Sequence, residues 1–381
     1  MTADLREGHG SGTRGRPGPG ILIVCLAPLE MEFGASQMAM NLSAALRDEG
    51  LSVSLWSPYP LPVGLRWFRV VPYMRRALDS FIAGHGPFDV IDAPALVITR
   101  GVARAGTSIA RSIQPEIRYQ FSGWRRPRAL TPREVSRLAA HDAHAVYVTA
   151  CVLLGWARVD RILCLGSIEY EWMSRWCPWW RHKLGWYVNA LRAEDQAALA
   201  AIRGSRAERA EPGRRFLWVG RTAGHKGFDR LVSYVTSHVK ARPMDTFTIA
   251  GCGHGAAALL PDELIAAGHV RVIPTYERRA LPGLLRDHDV GLFTSGVEGW
   301  GLSLNEMLES GMPVYATPVG GVPDLQPYFR GMLRRFPPGP GERFAIGRAS
   351  AELREYYETF SWSAIARRYV GLLRAARQEA G

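Results

Sequence analysis

The sequence predicts an α/β protein made of two Rossmann-like, doubly wound parallel-sheet domains that face each other across a cleft. Three observations predict it. The chain has 381 residues, more than one ordinary core accommodates; short buried apolar runs alternate with helical stretches; and the alternation begins afresh after residue 213.

Taken in order, residues 1–19 mix Gly8, Gly10, Gly12, Gly15, Gly18, Pro17 and Pro19 with charges, a composition that buries no core and reads as a disordered arm. Ile21 to Leu26 reads as a buried parallel strand. A loop with Gly34 leads to a helix from about Ser36 to Glu49, Gly50 ends it, and Leu51 to Trp56 alternates as a strand. Further strands are expected at 88–92, 107–109, 117–121, 145–149 and 161–165, completing a first domain over 20–192. Residues 193–213, rich in Ala, Arg and Glu and closed by Glu211-Pro212-Gly213, read as a helix and then a linker. The pattern restarts with strands at 216–219, 246–250, 270–273, 290–293 and 313–316 and a helix over 228–239, giving a second domain over 214–352. Apolar residues at helical spacing from Leu353 to Ala376 predict one or two closing helices within 353–381.

Hydrophobic residues make up 47% and charged residues 22%, the balance of a globular protein with real cores. No uninterrupted apolar run approaches the ~20 residues that cross a bilayer, and the start lacks a signal-peptide pattern, so a cytoplasmic location is expected. Cys25, Cys151, Cys164, Cys177 and Cys252 are scattered and never paired as C-x-x-C, which speaks against a disulfide framework or a zinc site and for buried free thiols. The formal net charge of +12 directs attention to anionic partners. Arginine supplies nearly all the basic residues, with lysine only at 183, 226 and 240; such a uniform bias argues little for nucleic-acid binding.

Chemistry concentrates in the second half. Val219 to Gly227 places Arg221 and Lys226 five residues apart on a glycine-rich turn between a strand and a helix, suited to a diphosphate whose charge rises as it departs. A basic strand-to-helix turn is common by itself, and a second segment downstream gives it context. The strand ending at Phe293 runs into Ser295 to Glu306, where Gly296, Gly299 and Gly301 let backbone N–H groups at a helix start approach a ligand. Glu298 lies in that loop and Glu306 eight residues on, so the two carboxylates address different parts of one elongated ligand, hydroxyls included. Surface glutamates favoured by a helix dipole would explain Glu298 but neither the glycines nor the spacing.

With V-G-R-x4-K-G at 219–227, G-x-G at 251–253, L-P at 281–282, D-V at 289–290, E-G-x-G-L-x3-E at 298–306, then G-x-P-V and G-G-x-P-D up to Asp324, the sequence resembles the family-4 glycosyltransferases of the GT-B fold. That large retaining family includes sucrose synthases and bacterial mannosyl- and glucosyltransferases. The likeness is strong over 216–324 and thinner elsewhere. It implies a nucleotide-diphosphate sugar as donor, UDP- or GDP-linked, with Arg221 and Lys226 gripping the diphosphate and no metal or other cofactor required. It further implies that Glu298 contacts the transferred sugar, Glu306 the ribose, and the amides of Gly299, Trp300, Gly301 and Leu302 the phosphate or sugar. Gly34, Gly251 and Tyr276 join the donor site by the same likeness, and the final helix crosses back onto the first domain. The sequence departs from the pattern at Ala35, where the family has a second glycine, and at Gln120 or Ser122, where many members have a histidine.

Acceptor contacts are expected from the first domain, with Asp92, Gln120, Ser122 and Trp124 as candidates. Two clusters bear on the acceptor: arginines 111, 118, 125, 126, 128, 133 and 137, and tryptophans 172, 176, 179, 180 and 186. Packing and solvation are the plainer account of both. The leading expectation is a small polar acceptor such as a natural-product or aminocyclitol intermediate. A lipid-linked or cell-envelope acceptor at the inner face of the membrane is the second, with the two clusters forming one exposed patch. A nonenzymatic nucleotide or nucleic-acid binder is the third, and leaves the Glu298 to Glu306 spacing unexplained.

Overall fold

The structure is a computed structural model that describes residues 20–122, 131–206, 213–339, 342 and 353–380. The expected arm at 1–19, Trp124, Arg125, Arg126 and Arg128, and most of the 207–213 linker lie outside the described residues, as does the side chain of Arg133.

The first half runs β1 (Gly20–Val24), α1 (Gly34–Asp48), β2 (Ser52–Trp56), α2 (Trp67–His85), β3 (Val90–Ala93), α3 (Arg100–Arg104), β4 (Thr107–Arg111), α4 (Glu116–Phe121), α5 (Pro132–Arg158), β5 (Arg161–Leu165), α6 (Ser167–Trp176) and β6 (Leu184–Tyr187). After α7 (Ala193–Ser205) the second half runs β7 (Arg215–Val219), α8 (Phe228–Ala241), β8 (Thr246–Ala250), α9 (Asp262–Ala266), β9 (Val270–Ile273), α10 (Leu281–Arg286), β10 (Val290–Phe293), α11 (Leu302–Glu309), β11 (Val314–Ala316), α12 (Val322–Leu325) and β12 (Leu333–Arg335). Two helices close the chain, α13 (Leu353–Thr359) and α14 (Trp362–Ala380).

Each half holds a six-stranded sheet, ordered β2-β1-β3-β4-β5-β6 and β12-β11-β10-β7-β8-β9, and every strand pair is parallel. Strands such as Ile21-Leu22-Ile23-Val24 are buried on both faces because helices cover both sides of a parallel sheet, which is why they read as unbroken apolar runs. The order reverses beside β1 in the first sheet and between β7 and β10 in the second. At such switch points the loops from adjacent strand ends part and leave a crevice for ligands.

Two expected strands are helical. Residues 117–121 fall in α4 and 145–149 in the middle of α5. The apolar run Ala145-Val146-Tyr147-Val148 has strand-like composition, but it continues a 27-residue helix that buries Ala145, Val148, Cys151, Val152 and Trp156 at helical spacing. Tertiary packing overrides local β-propensity here. All five cysteines are buried and free.

The end of the chain returns to the first domain. Helix α14 packs on α1, and the Tyr369 hydroxyl donates to Asp92 Oδ2 at 2.6 Å. The other carboxylate oxygen accepts from Arg111 Nε at 2.6 Å, with Asp92 fully buried and Arg111 1% exposed. Asp92 is therefore not an acceptor ligand, and Arg111 is not part of a surface arginine cluster: both are consumed in a buried pair that fastens the returning helix.

Removing Asp92 would leave the Arg111 guanidinium buried without its partner. Asp92→Ala is expected to lose about 3–5 kcal/mol of stability and Tyr369→Phe about 1 kcal/mol, read by urea unfolding. A loss under about 1 kcal/mol for Asp92→Ala would show that the pair does not fasten the fold.

Candidate functional site

A cleft of about 470 Å³ opens where the carboxyl ends of the two sheets face each other. Its lining joins Gly34, Arg221, Lys226, Gly251, Tyr276, Glu298, Gly299, Trp300, Gly301, Leu302 and Glu306, the residues named from sequence on the donor side. On the acceptor side Gln120 and Ser122 are not among the lining residues, and neither is Asp92. Gln120 and Ser122 sit at the end of α4, where Ser122 Oγ donates to the Tyr119 carbonyl at 2.7 Å. Their neighbour Tyr119 lines the cleft instead, its ring 4.9 Å from that of His225 across the domain boundary.

Two loops of the second domain are stitched together to build the donor wall. The His225 carbonyl accepts from the Gly296 amide at 2.6 Å, and Thr294 Oγ1 donates to the Lys226 carbonyl at 3.0 Å while accepting from Trp218 Nε1 at 3.0 Å. Gly227, at φ +67°, is required by both backbone and space, since a Cβ there would lie 1.9 Å from the Thr294 carbonyl oxygen. This stitching brings Lys226 Nζ to 2.6 Å from Glu298 Oε2, which also accepts from Ser295 Oγ at 3.1 Å. Arg221, beside them on the cleft wall, has no ion-pair partner among the described residues. Burial and the neighbouring Lys226 charge hold the His225 imidazole below its ordinary pKa, so it is neutral near pH 7.

Two helix N-termini, one from each domain, point at the same space. Gly34 and Ala35 open α1, Gly301 and Leu302 open α11, and all four line the cleft. The first amides of a helix have no partner within it and carry its positive dipole end, so they suit an anion. The domains meet closely here. Leu302 Cδ1 lies at ordinary contact distance from where a Gly34 Cβ would stand, and a Cβ on Gly299 would come within 2.2 Å of the Ile113 carbonyl oxygen. Asp324 adds a polar clasp, accepting from the Ser167 amide at the start of α6 at 3.0 Å.

Sequence reasoning missed Arg278. It ion-pairs with Glu306 and, at 3.2 Å, with Asp195, so Glu306 reaches the cleft already held by a guanidinium. Burial opposes the Arg278 charge, but the Glu306 and Asp195 carboxylates outweigh it and raise the pKa, so the group stays cationic. The signal was its place two residues after Tyr276, in the loop leaving the carboxyl end of β9. Gly251, at φ +69°, leaves room for the Tyr276 ring, whose Cε1 would stand 3.1 Å from an added Cβ. Glu32, Gln114 and Asn189 also line the cleft from the first domain; nothing in their local sequence marked them. Trp300 is 2% exposed, and its Nε1 donates to Asn305 Oδ1 at 2.9 Å, so its ring supports the loop rather than presenting itself to solvent. Among the described residues no group of three or more His, Cys, Asp or Glu side chains is placed to hold a metal ion.

Beneath the acceptor wall, α4 begins with a half-buried acid, Glu116. Burial, then the neighbouring Glu169, pushes the Glu116 carboxyl up to about 8, and one of its oxygens is buried without a hydrogen-bond partner. Burial also pushes Glu169 up to about 7, against hydrogen bonds from Ser112 Oγ at 2.7 Å and the Leu165 amide at 2.8 Å.

Two outcomes are expected. Both carboxyls titrate higher folded than unfolded, so the folded state holds more protons. The stability they contribute is full below the ordinary value of 4.5 and is lost as pH rises toward about 8. The Tm should therefore fall from about pH 5 to about pH 8, and Glu116→Gln, which keeps the neutral shape, should flatten the fall; equal slopes in the two proteins would place the titration elsewhere. At the domain contact, Gly299→Ala should hold the domains apart and lower ligand affinity in the cleft about tenfold or more, with little change in Tm. Unchanged affinity would show that the approach is not needed.

Comparison with known proteins agrees with this architecture. Residues 213–337 match the family model described as "Glycosyl transferases group 1". No match was found among curated proteins. Among solved structures, the chain is similar to a sucrose-phosphate synthase from Thermosynechococcus elongatus at a TM-score of 0.64 and 16% identity, covering 95% of this chain and 100% of that one. It is also similar to the catalytic domain of starch synthase IV from Arabidopsis thaliana, solved with ADP and acarbose, at 0.62 and 12% over 94% and 99%. A third is the lipopolysaccharide outer core galactosyltransferase WaaB, at 0.61 and 14% over 93% and 99%. At these identities the structural likeness speaks for the fold, and the family match for the second domain. Residues 213–337 of the second domain are thus similar to group 1 glycosyltransferases, in a chain whose two parallel-sheet domains have the GT-B fold.

Proposed function

We propose that the protein transfers a sugar from a nucleotide-diphosphate donor to an acceptor hydroxyl with retention of anomeric configuration. The observation that carries this reading is the convergence, on one cleft, of Arg221, Lys226 and the N-termini of α1 and α11. Each favours negative charge, and together they favour a diphosphate most when it leaves with its full charge. Arg221 and Lys226 supply that stabilisation as side-chain cations, so the proposed reaction needs no metal or other cofactor. Glu298, paired with Lys226 and accepting from Ser295, holds hydroxyls of the transferred sugar, and Glu306, steadied by Arg278, holds the ribose.

In the proposed step the acceptor oxygen bonds to the anomeric carbon on the face from which the diphosphate departs. The bond from that carbon to the diphosphate oxygen breaks with its electron pair, and the acceptor proton passes to the leaving phosphate. Asp92, buried on Arg111 and Tyr369 and outside the cleft lining, takes no part in this step. The base of the donor, UDP- or GDP-type, is set by the walls around Gly251 and Tyr276.

For the acceptor, a small polar molecule such as an aminocyclitol or other natural-product intermediate fits the polar side chains of Gln114, Tyr119 and Asn189. A second reading, a hydroxyl presented by a lipid-linked molecule at the inner face of a membrane, is supported by the apolar outer side of α5, where Val146, Leu153 and Leu154 are exposed.

A thermal-shift screen against UDP, GDP, ADP and dTDP, with and without EDTA, tests the donor half: one diphosphate should raise the Tm regardless of EDTA, and a shift with none would refute the reading. Lys226→Ala and Glu306→Ala should each weaken donor binding or turnover tenfold or more, as loss of a charge-assisted contact of roughly 1.5–3 kcal/mol would. Wild-type rates in both would overturn the site assignment.

A further inference from the structure

Helix α5 is built as if one of its sides had no business with water. Between Arg137 and Arg158 its only acidic or basic side chains are His141, Asp142 and His144. By length and composition the stretch Val135–Arg158 would suffice to cross a membrane, yet it lies on the first domain with 28% of its most apolar stretch buried. Its inner side packs Ala145, Val148, Val152 and Trp156 into the core. Its outer side presents Val146 at 62%, Leu153 at 36% and Leu154 at 50% exposure, with Ala139, Ala143, Ala150 and Ala157 between and around them. A surface helix of a protein surrounded by water normally carries polar and charged residues on that side.

Aromatic and basic turns stand against α5 at two places along its length. At one, Trp67 meets His144 edge-on, ring centroids 5.1 Å apart, and is followed by Phe68; both rings are exposed. Arg66 and Arg69 lie over the Phe68 ring at 5.0 and 5.8 Å. At the other, the buried Trp156 packs on Trp180, which packs on Trp179, and Trp179 and Trp176 are about three-fifths exposed with Arg175 over the Trp176 ring. His144 and Trp156 are twelve residues apart, about 18 Å along the helix, and the roughly 120° between them holds the buried Ala145, Val148 and Val152, so the two clusters stand at the edges where α5 meets the domain and the apolar side faces away between them. Exposed tryptophans beside arginines, around an apolar stripe, match the boundary between acyl chains and anionic headgroups.

We propose that the outer side of α5, with the turns at Arg66–Arg69 and Arg175–Trp179, seats on an anionic lipid bilayer. The occupant is identified by charge complementarity: Arg66 and Arg69 lie over the exposed Phe68 ring and Arg175 over the exposed Trp176 ring, and the formal net charge is +12. The surface lies one helix from the cleft, because α4 packs on α5 and carries Tyr119 to the cleft wall. A lipid-borne acceptor would thus be held with its hydroxyl near the donor. This last step rests on the sugar-transfer reading; the membrane seat itself does not.

The test is flotation of the full chain with vesicles of phosphatidylcholine alone and of phosphatidylcholine mixed with phosphatidylglycerol, at low and high salt, with no nucleotide present. The wild type should float with the anionic vesicles only, and less so at high salt. The variant Val146→Ser/Leu153→Gln/Leu154→Gln and the variant Trp67→Ser/Phe68→Ser should each partition about tenfold more weakly, with unchanged Tm because the residues are exposed. Failure of the wild type to float overturns the proposal. So does a wild-type dimer in sedimentation that the α5 variant converts to monomer, which makes a second copy the occupant. Flotation without any diphosphate-induced Tm shift would sink the transferase reading and leave this one standing; a diphosphate shift without flotation would do the reverse.

Discussion

Everything the cleft can do depends on how closely two carboxyl-end surfaces come together. Residue 299 lies so near the Ile113 carbonyl that only glycine fits, and residue 227 so near the Thr294 carbonyl that the same holds. The first contact sets the gap between domains; the second sets the gap between two loops of one domain. Both are backbone contacts, and no side chain could replace them without moving the walls. The cationic groups and helix ends on those walls gain their combined effect from this closeness, because charge interactions fall with distance and strengthen as water is excluded.

A second layer holds that arrangement in place with buried polar pairs. Asp92 accepts from Arg111 on one side and Tyr369 on the other, so a strand of the first sheet, its neighbour and the last helix share one carboxylate. Glu309 plays a similar part in the second domain, accepting from Tyr356 at 2.7 Å and Tyr357 at 3.0 Å, while Tyr356 accepts from Asn305, which in turn holds Trp300 under the loop. The loop that presents Glu298 and the amides of α11 is thus supported from below by the returning segment. In the Glu309 set both carboxylate oxygens accept a hydrogen bond, and a buried network satisfied in this way is rigid, which suits it to hold a loop at a site.

The first domain divides its labour between cleft and surface. Its sheet and α1 face the second domain, and α5 turns an apolar side outward, away from any partner in the fold. Glu116 at the start of α4 and the buried Glu169 of α6 sit between these two roles. Neutral carboxyls there are compatible with an apolar surround, whereas ionised ones are not.

Much of the second domain was legible because its chemistry lies in contiguous segments. The strand-turn-helix runs at 216–228 and 290–306 carry their own glycines, cations and carboxylates, and the buried parallel strands announce themselves as apolar runs. Arg221, Lys226, Glu298 and Glu306 could therefore be named from spacing. What only the tertiary structure decided is which residues from distant segments share a space. Arg278 steadies Glu306 from another loop, Tyr119 reaches the cleft in place of Gln120 and Ser122, and Asp92 is spent on Arg111 and Tyr369. Residues 117–121 and 145–149 look like strands in isolation and are helical: α5 buries Ala145 and Val148 at helical spacing, and α4 packs on α5. Whether an apolar residue is core or surface is likewise silent in the sequence: Val146 and Val148 are two residues apart on one helix, and its packing alone turns one outward and the other in.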